Sequence, residues 1–433
     1  MKQVLAAAFA SALRELAPGA RVRDALRASR ADLTSVKRIA IVAMGKAARP
    51  MAAAAIDELR ELAPRASVSG ICVPPEPDDA PLAPLDVIAG GHPLPTQGSF
   101  GAARRALAVC EAADAHTLVL FLVSGGASSL CELPLDAAAS VTTWREFYRA
   151  LVGSGAGIED INAVRSAASA TKGGKLAHAA RRAHLQWTLA ISDVPGSSIA
   201  ALGSGPSIAG SFSREGLERA LAHEGLRAAS LLARDAIALG ASADCAQPAE
   251  APRALATTLL DNATATEAAA RAIAAHGYRV RVVSTFDEAP SDDAARSLLA
   301  ELRSDAASHR QPVAIVAGGE VRVALPQRAG SGGRNQHFAL QCAEAIAGEP
   351  IAVLSCGTDG IDGNSQAAGG VVDGSTTTRA HALGLDVAAS LAAFDSSTLL
   401  AALGDTIVTG PTGTNVRDLR ILLCHAPTQL HAR

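Results

Sequence analysis

Aromatic side chains are scarce, 3% of 433 residues, with two Trp and two Tyr. That argues against the stacking platforms that hold bases or sugar rings. Excess charge of either sign is lacking too. The 39 basic and 42 acidic residues leave a formal −3, so neither nucleic acid nor an anionic membrane is implied as a partner. No apolar run is long enough to span a bilayer. The seven cysteines are odd in number and scattered, with no C-x-x-C pair. This fits reduced thiols in a cytoplasmic protein and speaks against zinc. The familiar nucleotide signatures are missing as well. Gly173-Gly-Lys-Leu fails a P-loop at spacing and final hydroxyl, and Gly153-Ser-Gly-Ala-Gly-Ile breaks a dinucleotide fingerprint at Ile158. H-E-x-x-H and G-x-S-x-G are also absent.

What is present is a globular chain, 49% hydrophobic and 19% charged, long enough for two or three domains. The start, with Leu5, Phe9, Leu13 and Leu16 at helical spacing, predicts an amphipathic helix. Continuous apolar strands then alternate with helices. Strands are expected at Arg38–Met44, Ser69–Val73, Thr117–Val123, Leu185–Ile191, Ala256–Asn262 and Tyr278–Val283. This alternation is that of a parallel sheet covered on both faces. A helix and polar connector over about 284–311 precede a second domain, with strands at Val313–Ala317, Ile351–Ser355, Gly369–Asp373, Asp405–Val408 and Leu419–Leu423. The expected division is 1–290 and 291–433.

Ligands of open α/β sheets bind beyond the carboxyl ends of the strands. Polar, Gly-rich loops recur there: Gly45-Lys46, Ser124-Gly125-Gly126-Ala127-Ser128, Ser192-Asp193, Asp261-Asn262, Gly318-Gly-Glu320 and Thr358-Asp359-Gly-Ile-Asp362. A Gly-Gly turn also delivers Arg334 and Asn335 onto the first turn of an apolar helix, where free N–H groups favour anions. Lys46 and Arg334 suit phosphate or carboxylate. Asp193, Asp359 and Asp362 suit Mg²⁺ or a substrate proton. Each has a plainer explanation: a solvated lysine, an ordinary glycine turn, an aspartate that caps a helix. His92, between Gly91 and Pro93, reads as turn structure before catalyst, and His337 as packing.

These motifs resemble the class II glycerate kinases, the glycerate 2-kinases whose C-terminal part is called MOFRL. The matching segments include Met44-Gly-Lys-Ala-Ala48, Gly90-Gly-His-Pro-Leu-Pro95, Val123-Ser-Gly-Gly-Ala-Ser-Ser129, Ile191-Ser-Asp-Val-Pro-Gly196, Gly332-Gly-Arg-Asn-Gln336, Gly357-Thr-Asp-Gly-Ile-Asp-Gly363 and Thr409-Gly-Pro-Thr-Gly-Thr-Asn-Val416. They run in family order over nearly the whole chain. The resemblance implies a large Rossmann-like doubly wound N-terminal α/β domain, a smaller α/β C-terminal MOFRL domain and an active site in the cleft between them. It implies phosphorylation of D-glycerate at its 2-hydroxyl with ATP and Mg²⁺.

In that reading Lys46, Arg334 and Asp193 are catalytic, and Asp193 is also the metal ligand. Ser124, Gly125, Gly126, Ala127, Ser128 and Asn262 bind nucleotide. Glu320, Asn335, Asp359 and Asp362 support substrate or structure. The partner is a small molecule, and a homo-oligomer stays open. The chain departs from the family's usual run at Ser166 and Ala167, where Lys and His are usual. It departs again at Ser197-Ser198, where an acidic pair is usual, around Gly210 and at Gln366, where Asp is usual. These changes motivate one alternative, a non-catalytic ligand-binding member; a second, a hydroxypyruvate reductase, follows a label some family members carry, and the missing dinucleotide fingerprint weighs against it.

Overall fold

The computed structural model describes residues 1–33, 36–77, 80–194, 198–208, 212–242, 252–283 and 288–425. Two compact units emerge. One is Pro18–Leu259; the other combines Met1–Ala17 with Leu260–Arg433.

The Pro18–Leu259 unit is built on β1 (Arg38–Met44), β2 (Ser67–Val73), β3 (Leu85–Val87), β4 (Thr117–Ser124), β5 (Leu185–Ile191) and β6 (Arg253–Leu260), in the order β3-β2-β1-β4-β5-β6. The pairs β3–β2, β2–β1, β1–β4 and β4–β5 are parallel. β4 and β5 are buried at every position, as strands covered on both faces must be. Ala102, Ala106 and Val109 of the helix Gln97–Glu111 pack on one face, against Val42, Val119 and Phe121. A separate core forms where Trp144, Phe147 and Tyr148 of the helix Val141–Val152 pack with Val164 and Leu217. Trp144 and Phe147 rings lie 4.9 Å apart. Three helices, Arg214–Leu221, Glu224–Ser230 and Arg234–Ser242, occupy a stretch for which the sequence predicts two.

The second unit holds β7 (Arg279–Val283), β8 (Val313–Ala317), β9 (Ile351–Gly357), β10 (Gly369–Asp373), β11 (Thr406–Ile407) and β12 (Asp418–Cys424), in the order β11-β10-β9-β12-β8-β7. β7 and β8 are parallel, linked through the helix Ser291–Ser308, and β12 runs antiparallel between β8 and β9. Phe338, Leu340 and Ile346 pack with Leu298, Ile315 and Leu422. The N-terminal helix Lys2–Glu15 buries Leu5 and Phe9 in this unit, where Lys2 Nζ lies 2.7 Å from Asp405 and Arg271 pairs with Glu15 at 2.7 Å.

The compact units therefore divide elsewhere than at 290/291. β7 is joined to β8 by a ladder, and the helix Asn262–Ala274 packs against Lys2–Glu15. No helix among the described residues is long and apolar enough to cross a membrane. The six described cysteines are buried and form no disulfide; Cys245 lies outside the described residues.

Candidate active site

In the Pro18–Leu259 unit, the turns after β1, β4 and β5 meet. Gly45 takes φ +119°, open to glycine and strained for other residues. The Lys46 amide donates to the Gly125 carbonyl at 2.9 Å, and the Ala47 amide donates to Ser124 Oγ at 2.9 Å. The Ser124 hydroxyl thus fastens the Lys46 turn. A Cβ on Gly125 would strike the Asp193 carboxylate, so only glycine lets that carboxylate lie against the turn. A Cβ on Gly126, at φ +87°, would lie 3.0 Å from the His92 ring. Burial, and then the Lys46 charge, lower the His92 pKa. Lys46, His92, Gly125, Gly126 and Asp193 thus form one group. Ala127 is fully buried, in the core with Val123 and Leu130.

A hydrogen-bonded scaffold holds the turn. Ser128 Oγ and Ser204 Oγ are 3.0 Å apart, Ser204 donates to Asn162 Oδ1 at 2.9 Å, and Arg165 donates to the same oxygen at 3.2 Å. Tyr148 donates to the Ser128 carbonyl at 2.8 Å and lies against Glu132. Glu132 and Lys172 are both fully buried, 4.0 Å apart; burial lowers the Lys172 pKa and Glu132 opposes it. Beside this scaffold is a concavity of about 220 Å³ lined by Asn162, Ser166, Ser198, Ser204, Phe212 and Arg219, among others. Ser166 is therefore wall, whereas Ala167 is fully buried. Ser197 and Gly210 lie outside the described residues. Gln366 is exposed.

The second group surrounds Arg334. Its Nε and Nη2 donate to the Asp418 carboxylate at 2.6 and 3.1 Å, and Nη2 lies 2.8 Å from Glu320. Burial works against the Arg334 charge, but Asp418 and Glu320 outweigh it and raise its pKa. Asp418 is 1% exposed and also meets Arg420 at 3.4 Å. Arg420 is wholly buried, donates to the Gly318 carbonyl at 2.7 Å, and lies 5.2 Å from the Phe338 ring centroid. Glu320 faces Arg417 at 4.0 Å.

The helix start expected to receive an external anion is filled from within. Asp362 accepts from the Asn335 amide at 3.0 Å and the Gln336 amide at 2.8 Å. Gly332 N–H goes to Asn364 and Ser331 N–H to Asp395. Asn335 is 1% exposed and its Oδ1 accepts from Ser355 at 2.6 Å. Asn262 is a backbone clamp. It donates to the carbonyls of Val416 and Asp418 at 2.7 and 3.2 Å and accepts from Gly319 N at 2.8 Å. Asp359 accepts from the Ile361 amide at 3.2 Å and shapes its own turn.

Asp418, Arg417 and Arg420 escaped the sequence reading. The signal was there: an arginine inside the apolar run Leu419-Arg-Ile-Leu-Leu423 needs a partner, and Asp418, two residues earlier, shares its face of the strand. Among the described residues no cluster of three or more His, Cys, Asp or Glu side chains is arranged to hold a metal ion.

Two family models match the chain: "Domain of unknown function (DUF4147)" over residues 4–234 and "MOFRL family" over residues 313–418. A D-glycerate 2-kinase of Thermotoga maritima is 34% identical, across 89% of this chain and 91% of its own. This chain belongs to the glycerate 2-kinase family. A crystal structure of glycerate kinase from Thermotoga maritima superposes with a TM-score of 0.82 at 31% identity, covering 98% of this chain and 99% of that one. Another relative, from Agrobacterium vitis, is 36% identical over 89% of this chain and 87% of its own, and is named putative hydroxypyruvate reductase.

Proposed function

We propose that this glycerate 2-kinase relative transfers a phosphoryl group from ATP to the 2-hydroxyl of D-glycerate, or of a related short hydroxy acid. For D-glycerate the product is 2-phosphoglycerate. The substrate oxygen forms a bond to the γ-phosphorus, the bond to ADP breaks, and the hydroxyl proton leaves. Such transfer asks the protein mainly for positioning and charge neutralisation. The observation that carries the reading is the convergence of the Lys46 ammonium, the Gly125-Gly126 turn and the Asp193 carboxylate at three adjoining strand ends.

Lys46 neutralises phosphate charge, and the turn from Ser124 to Ser128 receives the nucleotide phosphates. A single carboxylate is enough for Mg²⁺ that rides on nucleotide phosphates, so Asp193 fits as its protein ligand. Bound there, Mg²⁺ would supply charge stabilisation at the transferring phosphate. The lowered pKa leaves His92 neutral near pH 7, able to accept a proton. Arg334 supplies the second fixed cation.

A coupled ATP assay over a panel of short hydroxy acids tests this, with product NMR to locate the phosphate. Lys46→Ala and Arg334→Ala are each expected to lower turnover at least about 10²-fold, the scale of one preorganised charge at a transition state. Unchanged turnover in both variants would sink the assignment. ATP binding with no acid accepted would favour a ligand-binding member. A flat NADH or NADPH trace with hydroxypyruvate would dismiss the reductase.

A further inference from the structure

We propose that two carboxylates divide the work on Arg334: Asp418 is a positioning residue that fixes the guanidinium, and Glu320 is a displaceable stand-in for an oxyanion of the substrate. This rests on the reading of Arg334 as the kinase's anion-binding cation.

A guanidinium offers two forks to a carboxylate: a side fork of Nε with one terminal nitrogen, and an end fork of the two terminal nitrogens. Asp418 takes the side fork, Nε at 2.6 Å and Nη2 at 3.1 Å. Its carboxylate is 1% exposed and is also near Arg420. Its backbone is fixed at the first residue of β12, in register with Gly357, and its carbonyl accepts from Asn262. Asp418 cannot swing away without stranding the buried Arg420 and releasing the partly buried Arg334, which is costly.

Glu320 is different. Its side chain is 35% exposed, and the one oxygen that lies 2.8 Å from Nη2 is shared with Arg417, 4.0 Å away. Exposed ion pairs of this kind are weak. Nη1 bonds to none of the described residues, and the Arg334 side chain is itself 35% exposed. Half of the end fork is therefore open, and half is held by a partly exposed carboxylate that can leave Arg334 for its neighbour Arg417. A substrate carboxylate or phosphate that docks with two oxygens on Nη1 and Nη2 displaces Glu320 and leaves Asp418 in place. The exchange keeps the balance of charge around Arg334, Arg417 and Arg420, because one anion leaves as another arrives.

Steady-state kinetics with Mg-ATP and D-glycerate separate the roles. Asp418→Asn should lower kcat roughly 10- to 100-fold, the scale of a misplaced catalytic group, with little change in KM. Glu320→Gln should lower one KM about 2- to 5-fold, the scale of one exposed ion pair. A fall in KM for glycerate identifies the displaced contact as its carboxylate; a fall in KM for ATP identifies it as phosphate. In the Arg334→Ala background both effects should vanish, which a purely structural role would not produce.

If Arg334→Ala collapses turnover while Glu320→Gln keeps both wild-type KM values, the exchange is overturned. Equal losses from Asp418→Asn with and without Arg334 overturn the positioning role. Should Asp418→Asn fail to fold, Asp418→Glu and the Glu320→Gln arm still decide. Wild-type turnover in Arg334→Ala would instead refute the underlying functional reading.

Discussion

At the scale of single residues, Asp362 shows how a candidate ligand becomes a structural anion. Burial, and to a lesser degree the Asp418 charge, raise its pKa, while the amides of Gln336 and Asn335 pull it down. The balance lies at about 6, against an ordinary 3.8. The unfolded chain therefore ionises first as pH rises. Stability from Asp362 is full below pH 4, falls through pH 6 and then levels, a loss of roughly 3 kcal/mol. Thermal melts of wild type and Asp362→Asn should show wild type losing ground between pH 4 and 6.5; a constant gap would refute this. From sequence, Asp362 was legible as a support for substrate or structure, and helix capping was the plainer of its explanations, but the helix it caps was not legible. Nothing in Gly-Ile-Asp-Gly says that its carboxylate closes onto a helix start 26 residues upstream. Asp418 was silent for the same reason, since its meaning comes from β12 lying between β8 and β9. His92 was legible as a turn residue, and only its nearness to Gly126 and Lys46 joins it to the candidate site.

At the scale of elements, the strand ends were legible because buried parallel strands are continuous apolar runs, and their polar punctuation marks where ligands meet the sheet. The helix Arg334–Ala345 was legible from its apolar face, but the side chains that seal its start come from Asp362, Asn364 and Asp395. Gly333, at φ −138°, is extended, so its need for glycine is steric. A Cβ there would collide with Asp362 and the Gly363 amide. Gly333→Ala should cost about 1–3 kcal/mol, the usual range for overpacking, and lower Tm by several degrees. It should also reduce turnover by moving Arg334. Calorimetry and the coupled assay check both outcomes. The extra break among the helices after Ser213 carried no signal, because Ala222-His-Glu and Leu231-Leu-Ala are ordinary helical sequence.

For the whole molecule, the decisive connection is the one that amphipathic spacing cannot reveal: which unit the N-terminal helix joins. Leu5, Phe9 and Leu16 are fully or almost fully buried. Removing them would expose side chains each contributing about 1.5–3 kcal/mol, together a large share of a domain's typical stability of about 5–15 kcal/mol. A variant lacking residues 1–17 should therefore lose the calorimetric transition of the Leu260–Arg433 unit, and a peptide of residues 1–17 should restore it. An unchanged thermogram would refute the docking as a source of stability. Synthesis adds a temporal demand. Lys2–Glu15 emerges from the ribosome before any of Pro18–Leu259, while its packing surface comes after all of it. At about 5–20 residues per second, the apolar stripe of that helix waits for tens of seconds without its partner. During that interval the stripe has no packing surface on the nascent chain, and a helix made before all of Pro18–Leu259 finds its place only after it.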